Sequence, residues 1–184
     1  MGWPSERLLA SHCENNYGGA IRRLNASEAG LSALDWSKAP VFEINGLKRE
    51  ELIAANSAIL HEVYFEGLGG SGEASGEIAA ALERGSVARW QAEIAVMGKA
   101  LAGGSGWVLL SWSDRRGRLV NQRAADHAHV LADSRPQLAL DRDEHAYHLD
   151  FGAKASAYVG ALDRPCRLYA KVPKLLCSYG RPAL

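Results

Sequence analysis

The apolar pattern of this chain changes period at Gly103-Gly104, and that switch narrows the folds open to it. Upstream, apolar residues recur at helical spacing. Downstream, residues 107–112 form a strand-like run, 114–117 read as a turn, 119–125 as the return strand of a hairpin, and 137–140 as a third short strand. Helices first and strands later predict an α+β fold and exclude a parallel doubly wound one. We expect an N-terminal antiparallel helical hairpin, then a C-terminal domain with a three-stranded antiparallel sheet and helices.

Residues 5–24 read as a helix blemished by Gly18-Gly19. Each glycine weakens a helix interior by about 1 kcal/mol, which is tolerable where another backbone must approach closely. Residues 26–45 read as a connection, with Gly30, Pro40 and Asn45-Gly46 as breakers. A second helix spans 47–68, with Ala54, Ala58, His61, Phe65 and Leu68 on one face. That face is apolar except for His61. The Gly/Ser-rich stretch 69–76 is the clearest hinge, so the expected division is a helical hairpin over 1–72 and an α/β unit over 73–184. A short helix over 77–83 precedes a longer one opened by Ser86, whose buried stripe is Val87, Trp90, Ile94, Met97 and Leu101. The last helix is expected over 151–162.

Composition closes off several function classes. With 184 residues the chain suits one domain, or two small ones sharing a core. A hydrophobic fraction of 47% excludes long disorder. The formal net charge is zero, so no global basic field exists to hold nucleic acid or an anionic membrane. No apolar run approaches the roughly 20 residues that span a bilayer. The first seven residues, Met-Gly-Trp-Pro-Ser-Glu-Arg, lack an apolar signal core, which gives a cytoplasmic expectation. Cys13, Cys166 and Cys177 form no Cys-x-x-Cys pair, and an odd count without pattern predicts reduced thiols.

The chemistry concentrates in Asp141-Arg142-Asp143-Glu144-His145-Ala146-Tyr147. A carboxylate and an imidazole stand four residues apart where a strand hands over to a helix. One oxygen and one nitrogen donor so placed suit a redox metal such as iron or manganese, although a capped helix start has a similar pattern. His12 and His61 can face each other across the helical hairpin, and the Asp141/His145 unit can close the site from the second domain. Each histidine alone also reads as a core residue satisfied by one hydrogen bond.

These residues resemble the iron/manganese superoxide dismutase family over roughly 5–162. His61-Glu-Val-Tyr-Phe-Glu-Gly-Leu is similar to the family's His-x-x-Phe-Trp-x-x-Leu, and Gly104-Ser105-Gly106-Trp107 to its Gly-Ser-Gly-Trp. Asp141-x-x-Glu144-His145-Ala146-Tyr147 resembles Asp-x-Trp-Glu-His-Ala-Tyr, and Asn25 follows His12 at the family's distance of thirteen residues. The resemblance implies His12, His61, Asp141 and His145 as ligands of one iron or manganese ion, with solvent as a fifth ligand and superoxide as substrate. Histidine nitrogen, a single carboxylate and the hydrogen bonds around them are what a protein has for setting such a metal's potential.

The chain departs from the family in ways that matter. Where a glutamine touches the site, Ser57 is too short to reach, and His127 aligns best with its alternative position. His127 is therefore expected to replace the glutamine, the bland alternative being that His127 and His129 are exposed loop residues. The gateway tyrosine and histidine positions hold Ala20 and Asn16; Tyr17 is the candidate stand-in, although on an α-helix it points nearly a third of a turn away. Tryptophans are replaced by Leu109 and Asp143, and a basic residue by Ala155 beside Lys154. Glu144 reads either as a solvated carboxylate at a helix start or, as the resemblance implies, as a contact to the partner's histidine across a two-fold axis, making the protein a homodimer. After about residue 162 the resemblance ends. The two function classes are an active superoxide dismutase and a catalytically impaired metal-binding or dimeric interaction protein on the same fold. A more distant third is another mononuclear iron enzyme.

Overall fold

A computed structural model describes residues 3–68, 80–81, 83, 87–101 and 104–162. Its order is helices, then a three-stranded antiparallel sheet, then short helices. This is the α+β arrangement the change of period predicts.

Helix α1, Glu6–Ser11, starts where the Ser5 hydroxyl accepts the amide of Leu8 at 3.1 Å. The same hydroxyl donates to Asp150 Oδ1 at 2.8 Å, tying the first turn to the far end of the chain. The helix then widens into a π-turn, His12–Tyr17, in which the Gly18 amide reaches the carbonyl of Cys13 five residues back. It continues as α2, Gly18–Ala33. Nothing crowds Gly19, where an added Cβ would meet only an Arg22 terminus at 3.9 Å, so close backbone approach does not explain that glycine.

The expected connection over 26–45 is shorter than the sequence suggests, because α2 runs through Gly30 and α3 spans Val41–Gly67. Gly30 breaks nothing. A Cβ there would lie 3.1 Å from Leu47 Cδ2, so its absence lets the two helices close on each other. Gly46 is carried inside a 27-residue helix, whose packed face offsets a cost of about 1 kcal/mol. The turn contracts to 34–40, where Asp35 accepts the Ser37 amide at 3.1 Å and Pro40 precedes the helix. An ion pair between Arg23 and Glu50 joins α2 to α3.

Helix α4, Val87–Ala100, buries Trp90 and Ile94 of its expected stripe. Strands β1, Trp107–Ser113, β2, Arg118–Ala124, and β3, Ser134–Asp141, form a sheet in the order β2-β1-β3. The central strand is nearly all buried and hence reads as a continuous apolar run. β3 starts earlier than expected because Pro136 is tolerated on an edge strand, next to the register shift opposite Leu110 and Ser111. The register sets Asp141 opposite Trp107, at the end of the sheet nearest the helices. The expected final helix is instead two: α5, His148–Phe151, and α6, Ala155–Leu162. Gly152 at φ +54° ends the first in the left-handed region.

One core joins Leu60 and Tyr64 of α3, and Leu68 just past its end, to Trp90, β1, β3 and Tyr158 of α6. A smaller one packs Tyr17, Ala20 and Ile21 on Ala58 between the helices. The expectation of reduced thiols is corrected at Cys13, which is disulfide-bonded. The hinge at 69–76, the Ser86 cap, most of the helix at 77–83 and the tail from 163 lie outside the described residues.

Candidate metal centre

His12 opens the π-turn, His61 sits on the inner face of α3, Asp141 ends β3, and His145 lies in the 3-10 turn Glu144–Ala146. One donor atom from each lies within 4.8 Å of the others. Asp141 Oδ2 is 3.1 Å from His12 Nε2, 3.1 Å from His145 Nε2 and 3.8 Å from His61 Nε2. His12, His61 and Asp141 are almost wholly buried. The His12 and His61 Nε2 atoms have no hydrogen-bond partner among the described residues. His145 Nε2 is hydrogen-bonded to Asp141 Oδ2, whereas the His12 and His61 Nε2 atoms lie near the same oxygen without such a bond, so the four side chains gather about a common centre. Three imidazole nitrogens and one carboxylate oxygen suit iron or manganese, so the residues fit such an ion.

The neighbours fix the protonation pattern. His61 Nδ1 donates to the Ser57 carbonyl at 2.7 Å, which leaves the Nε2 lone pair facing the centre. The Ser57 hydroxyl also lies 3.4 Å from the same Nδ1, so both polar groups of Ser57 face the His61 ring. Burial pushes His61 down to about 4. Burial alone would raise the Asp141 carboxyl, yet His12 and then His145 hold it well below the usual carboxylate range. For His145 burial works downward, but its bond to Asp141 outweighs this and raises it.

The His61 shift carries a pH prediction for the metal-free chain. Its folded pKa lies below the unfolded value of 6.5, so the unfolded chain binds the extra proton first. Stability is complete above pH 6.5 and falls as the pH drops toward 4, by up to roughly 3 kcal/mol from this group. The raised His145 acts in the opposite sense, contributing stability below its unfolded pKa that is lost as pH rises. Thermal melts of the metal-free chain should therefore fall between pH 6.5 and 4, and the slope should flatten in His61→Gln. An equal slope in both proteins would refute the assignment.

His127 comes to the site. Its ring stacks on His61 at 6.1 Å and meets Trp107 edge-on at 5.6 Å. Its Nε2 is buried without a hydrogen-bond partner among the described residues, and burial lowers its pKa. Asn56 holds its carbonyl at 2.6 Å. His129 is exposed and bonded to Asp126. Tyr17 also reaches the site: its ring centroid is 6.5 Å from that of His61, and its hydroxyl donates to Glu62 Oε1 at 2.9 Å. Glu144 is exposed on the turn that carries His145, outside the cluster.

Other residues around the centre were given no individual role by the sequence, although Tyr64, Phe65 and Trp107 lie in the motifs that carry the resemblance. Tyr64 and Phe65 pack on His12 at 5.1 and 5.0 Å, and Trp107 on His61 at 5.2 Å, so an aromatic wall survives. Asp143 donates its amide to Asp141 Oδ1 at 2.8 Å and accepts the Gly106 amide at 2.9 Å. It latches the turn where the family pattern has tryptophan. Arg142 is 1% exposed. Its Nε donates to the Gly98 carbonyl at 2.6 Å and its guanidinium lies over Tyr147, so the cation sits at the carbonyl end of α4.

Comparison with known proteins agrees with this geometry. The family described as iron/manganese superoxide dismutases, C-terminal domain, matches residues 74–164. The chain is 65% identical to "Superoxide dismutase [Fe]" of Cupriavidus metallidurans over 159 residues, covering 85% of this chain and 81% of that protein. It is 30% identical to "Superoxide dismutase [Fe]" of Aquifex pyrophilus, covering 85% and 77%. It is 29% identical to "Superoxide dismutase [Mn] 1" of Halobacterium salinarum, covering 85% and 79%. The chain belongs to the iron/manganese superoxide dismutase family. Among the described residues no helix is long and apolar enough to cross a membrane.

Proposed function

We propose that this protein is a superoxide dismutase in which His12, His61, Asp141 and His145 hold one iron or manganese ion. The observation that carries the reading is the convergence of three imidazoles and one buried carboxylate on a common centre, in a chain 65% identical to a protein named as an iron superoxide dismutase. When bound, the ion supplies one-electron chemistry between its +3 and +2 states, so that two superoxide anions and two protons become oxygen and hydrogen peroxide.

The chain's own residues do the rest. Asp141 supplies the single negative charge among the four donors, and the Asp143 amide orients it. The Ser57 carbonyl fixes His61 in the tautomer that can ligate. Tyr64, Phe65 and Trp107 keep bulk water from the buried side of the centre. His127 takes the place of the family's glutamine, setting a buried imidazole nitrogen beside the site where the family has an amide. Tyr17 stands in for the gateway tyrosine. The His145 side chain is 29% exposed and marks the side open to a small anion.

The deciding experiment is the dismutation rate of the protein reconstituted separately with iron and with manganese. A high rate with one metal is expected, and iron is the expected metal. Stoichiometric metal with no rate in either preparation would replace this reading with that of a non-catalytic metal-binding protein. The departures at Ala20, Leu109 and Asp143 favour that alternative. The structure absorbs two of them, since Leu109 fills the core and Asp143 forms the latch.

The reading includes a homodimer with superoxide as its substrate and neither nucleic acid nor membrane as a partner. In this reading Glu144, exposed beside the half-buried His145, contacts the partner's metal-bound histidine across a two-fold axis. Glu144→Ala is expected to shift sedimentation from dimer toward monomer and to lower metal content in parallel. If neither quantity moved, the bridge would be wrong.

A further inference from the structure

The π-turn and the carboxylate beside His61 belong to one device. On an α-helix, residues five apart point about 140° away from each other. His12 and Tyr17 are five apart, and both are buried. The π-turn closes a bond five residues back instead of four, and this rotates Tyr17 toward the face that carries His12. The ring then stands 6.5 Å from His61 and edge-on to Phe65 at 6.4 Å. What holds it there is α3. The Tyr17 hydroxyl donates to Glu62 Oε1 at 2.9 Å, and Glu62 is the residue next to His61. Glu62 is half-buried, so water competes weakly for this bond and the acceptor sits on a rigid helix.

From these observations we infer that Glu62 is a positioning residue for the dismutation reaction: its carboxylate holds the Tyr17 ring in the wall of the metal site. The inference rests on the proposed function for its catalytic meaning, but the contact itself does not. Tyr17 occupies a position where the family's spacing places no gateway residue. It can serve as one only if the helix is re-phased and the hydroxyl is held from the opposite helix. The π-turn does the first and Glu62 the second. The bond links α2's leading turn to α3 at the level of His61, so losing it frees the ring without removing any metal-binding donor.

The test combines variants with a readout that needs no metal. Glu62→Ala should lower kcat/KM of the reconstituted protein by about fivefold, the value of one hydrogen bond, with metal content unchanged. Glu62→Gln keeps an acceptor oxygen and should restore most of the lost rate. Tyr17→Phe should lose about as much as Glu62→Ala, and the double variant little more, because both changes remove one contact. In metal-free protein labelled at tyrosine, the Tyr17 ring resonance, assigned from its absence in Tyr17→Phe, should shift and narrow in Glu62→Ala and stay in place in Glu62→Gln. An unmoved resonance in Glu62→Ala, or fully additive effects on rate, would overturn the role. If the unmutated protein dismutates superoxide with neither metal, the catalytic part falls with the proposed function, while the resonance still decides whether Glu62 holds Tyr17.

Discussion

Asp141→Asn is expected to leave a folded protein that neither retains its metal nor dismutates superoxide. Asp141 is 0% exposed and is the only donor of the four that carries a negative charge. The low pKa enforced by His12 and His145 keeps it ionised throughout the working range. Asparagine preserves the volume and one oxygen, but it removes the charge and turns an N–H toward nitrogens that must offer lone pairs. Altering a residue that only orients a ligand costs 10–100-fold in metal affinity, so loss of the charged ligand itself should exceed about 100-fold, and the rate should fall with occupancy. Metal analysis after dialysis, circular dichroism and the dismutation assay check the three parts. Full metal occupancy and rate in this variant would remove Asp141 from the site. Unfolding would instead mean that the carboxylate is chiefly structural, since stranding buried partners of a charge is itself costly.

How much of this was legible beforehand can be judged residue by residue. The α+β order followed from period alone, because buried helices and a central strand impose different spacings on the same apolar residues. The four candidate donors were legible through the resemblance to the superoxide dismutase motifs, since each histidine taken alone also reads as a core residue satisfied by one hydrogen bond. The helix limits were not. Gly30 and Gly46 look like breakers in a string of letters, but Gly30 is decided by the facing helix, whose Leu47 lies 3.1 Å from where its Cβ would be, and Gly46 is carried by the 27-residue helix around it. The π-turn was also hidden. Its effect is a rotation of Tyr17, and no local composition signal marks it; only the mismatch between Tyr17 and the family's gateway position hinted that the helix is re-phased. Asp143 shows the opposite case. It reads as a lost tryptophan in sequence, whereas in space it is a latch, because its partner Gly106 is 37 residues away. Glu62 and Asn56 gave no signal at all, since a polar residue on a helix reads as solvated until the neighbouring element is known.

Gly106→Ala is expected to produce the largest loss of stability of any single methyl addition at the glycines discussed here. Gly106 has φ +130°, outside the range that L side chains adopt readily. An added Cβ would lie 2.3 Å from the Ala124 carbonyl oxygen and 3.1 Å from that of Ala125. Both obstacles are backbone, so no rotamer change relieves them. The residue also carries two bonds to the segment between Asp141 and His145: its amide donates to Asp143 at 2.9 Å and its carbonyl accepts from the Arg142 amide at 2.9 Å. Backbone strain and overpacking each cost about 1–3 kcal/mol, so a destabilisation of about 3–5 kcal/mol and a fall in Tm of about 10 °C are expected. Because Asp143 in turn orients Asp141, the fraction that still folds should bind metal more weakly. Gly104→Ala is the control, since a Cβ there meets nothing closer than 3.9 Å, and its change should stay within about 0.5 kcal/mol. Urea titrations of the two variants, with metal content measured on each, separate the contributions. Equal midpoints would show that the strand β2 end yields to the methyl group, and that the strain at Gly106 is not what fixes Asp143 and the carboxylate beyond it.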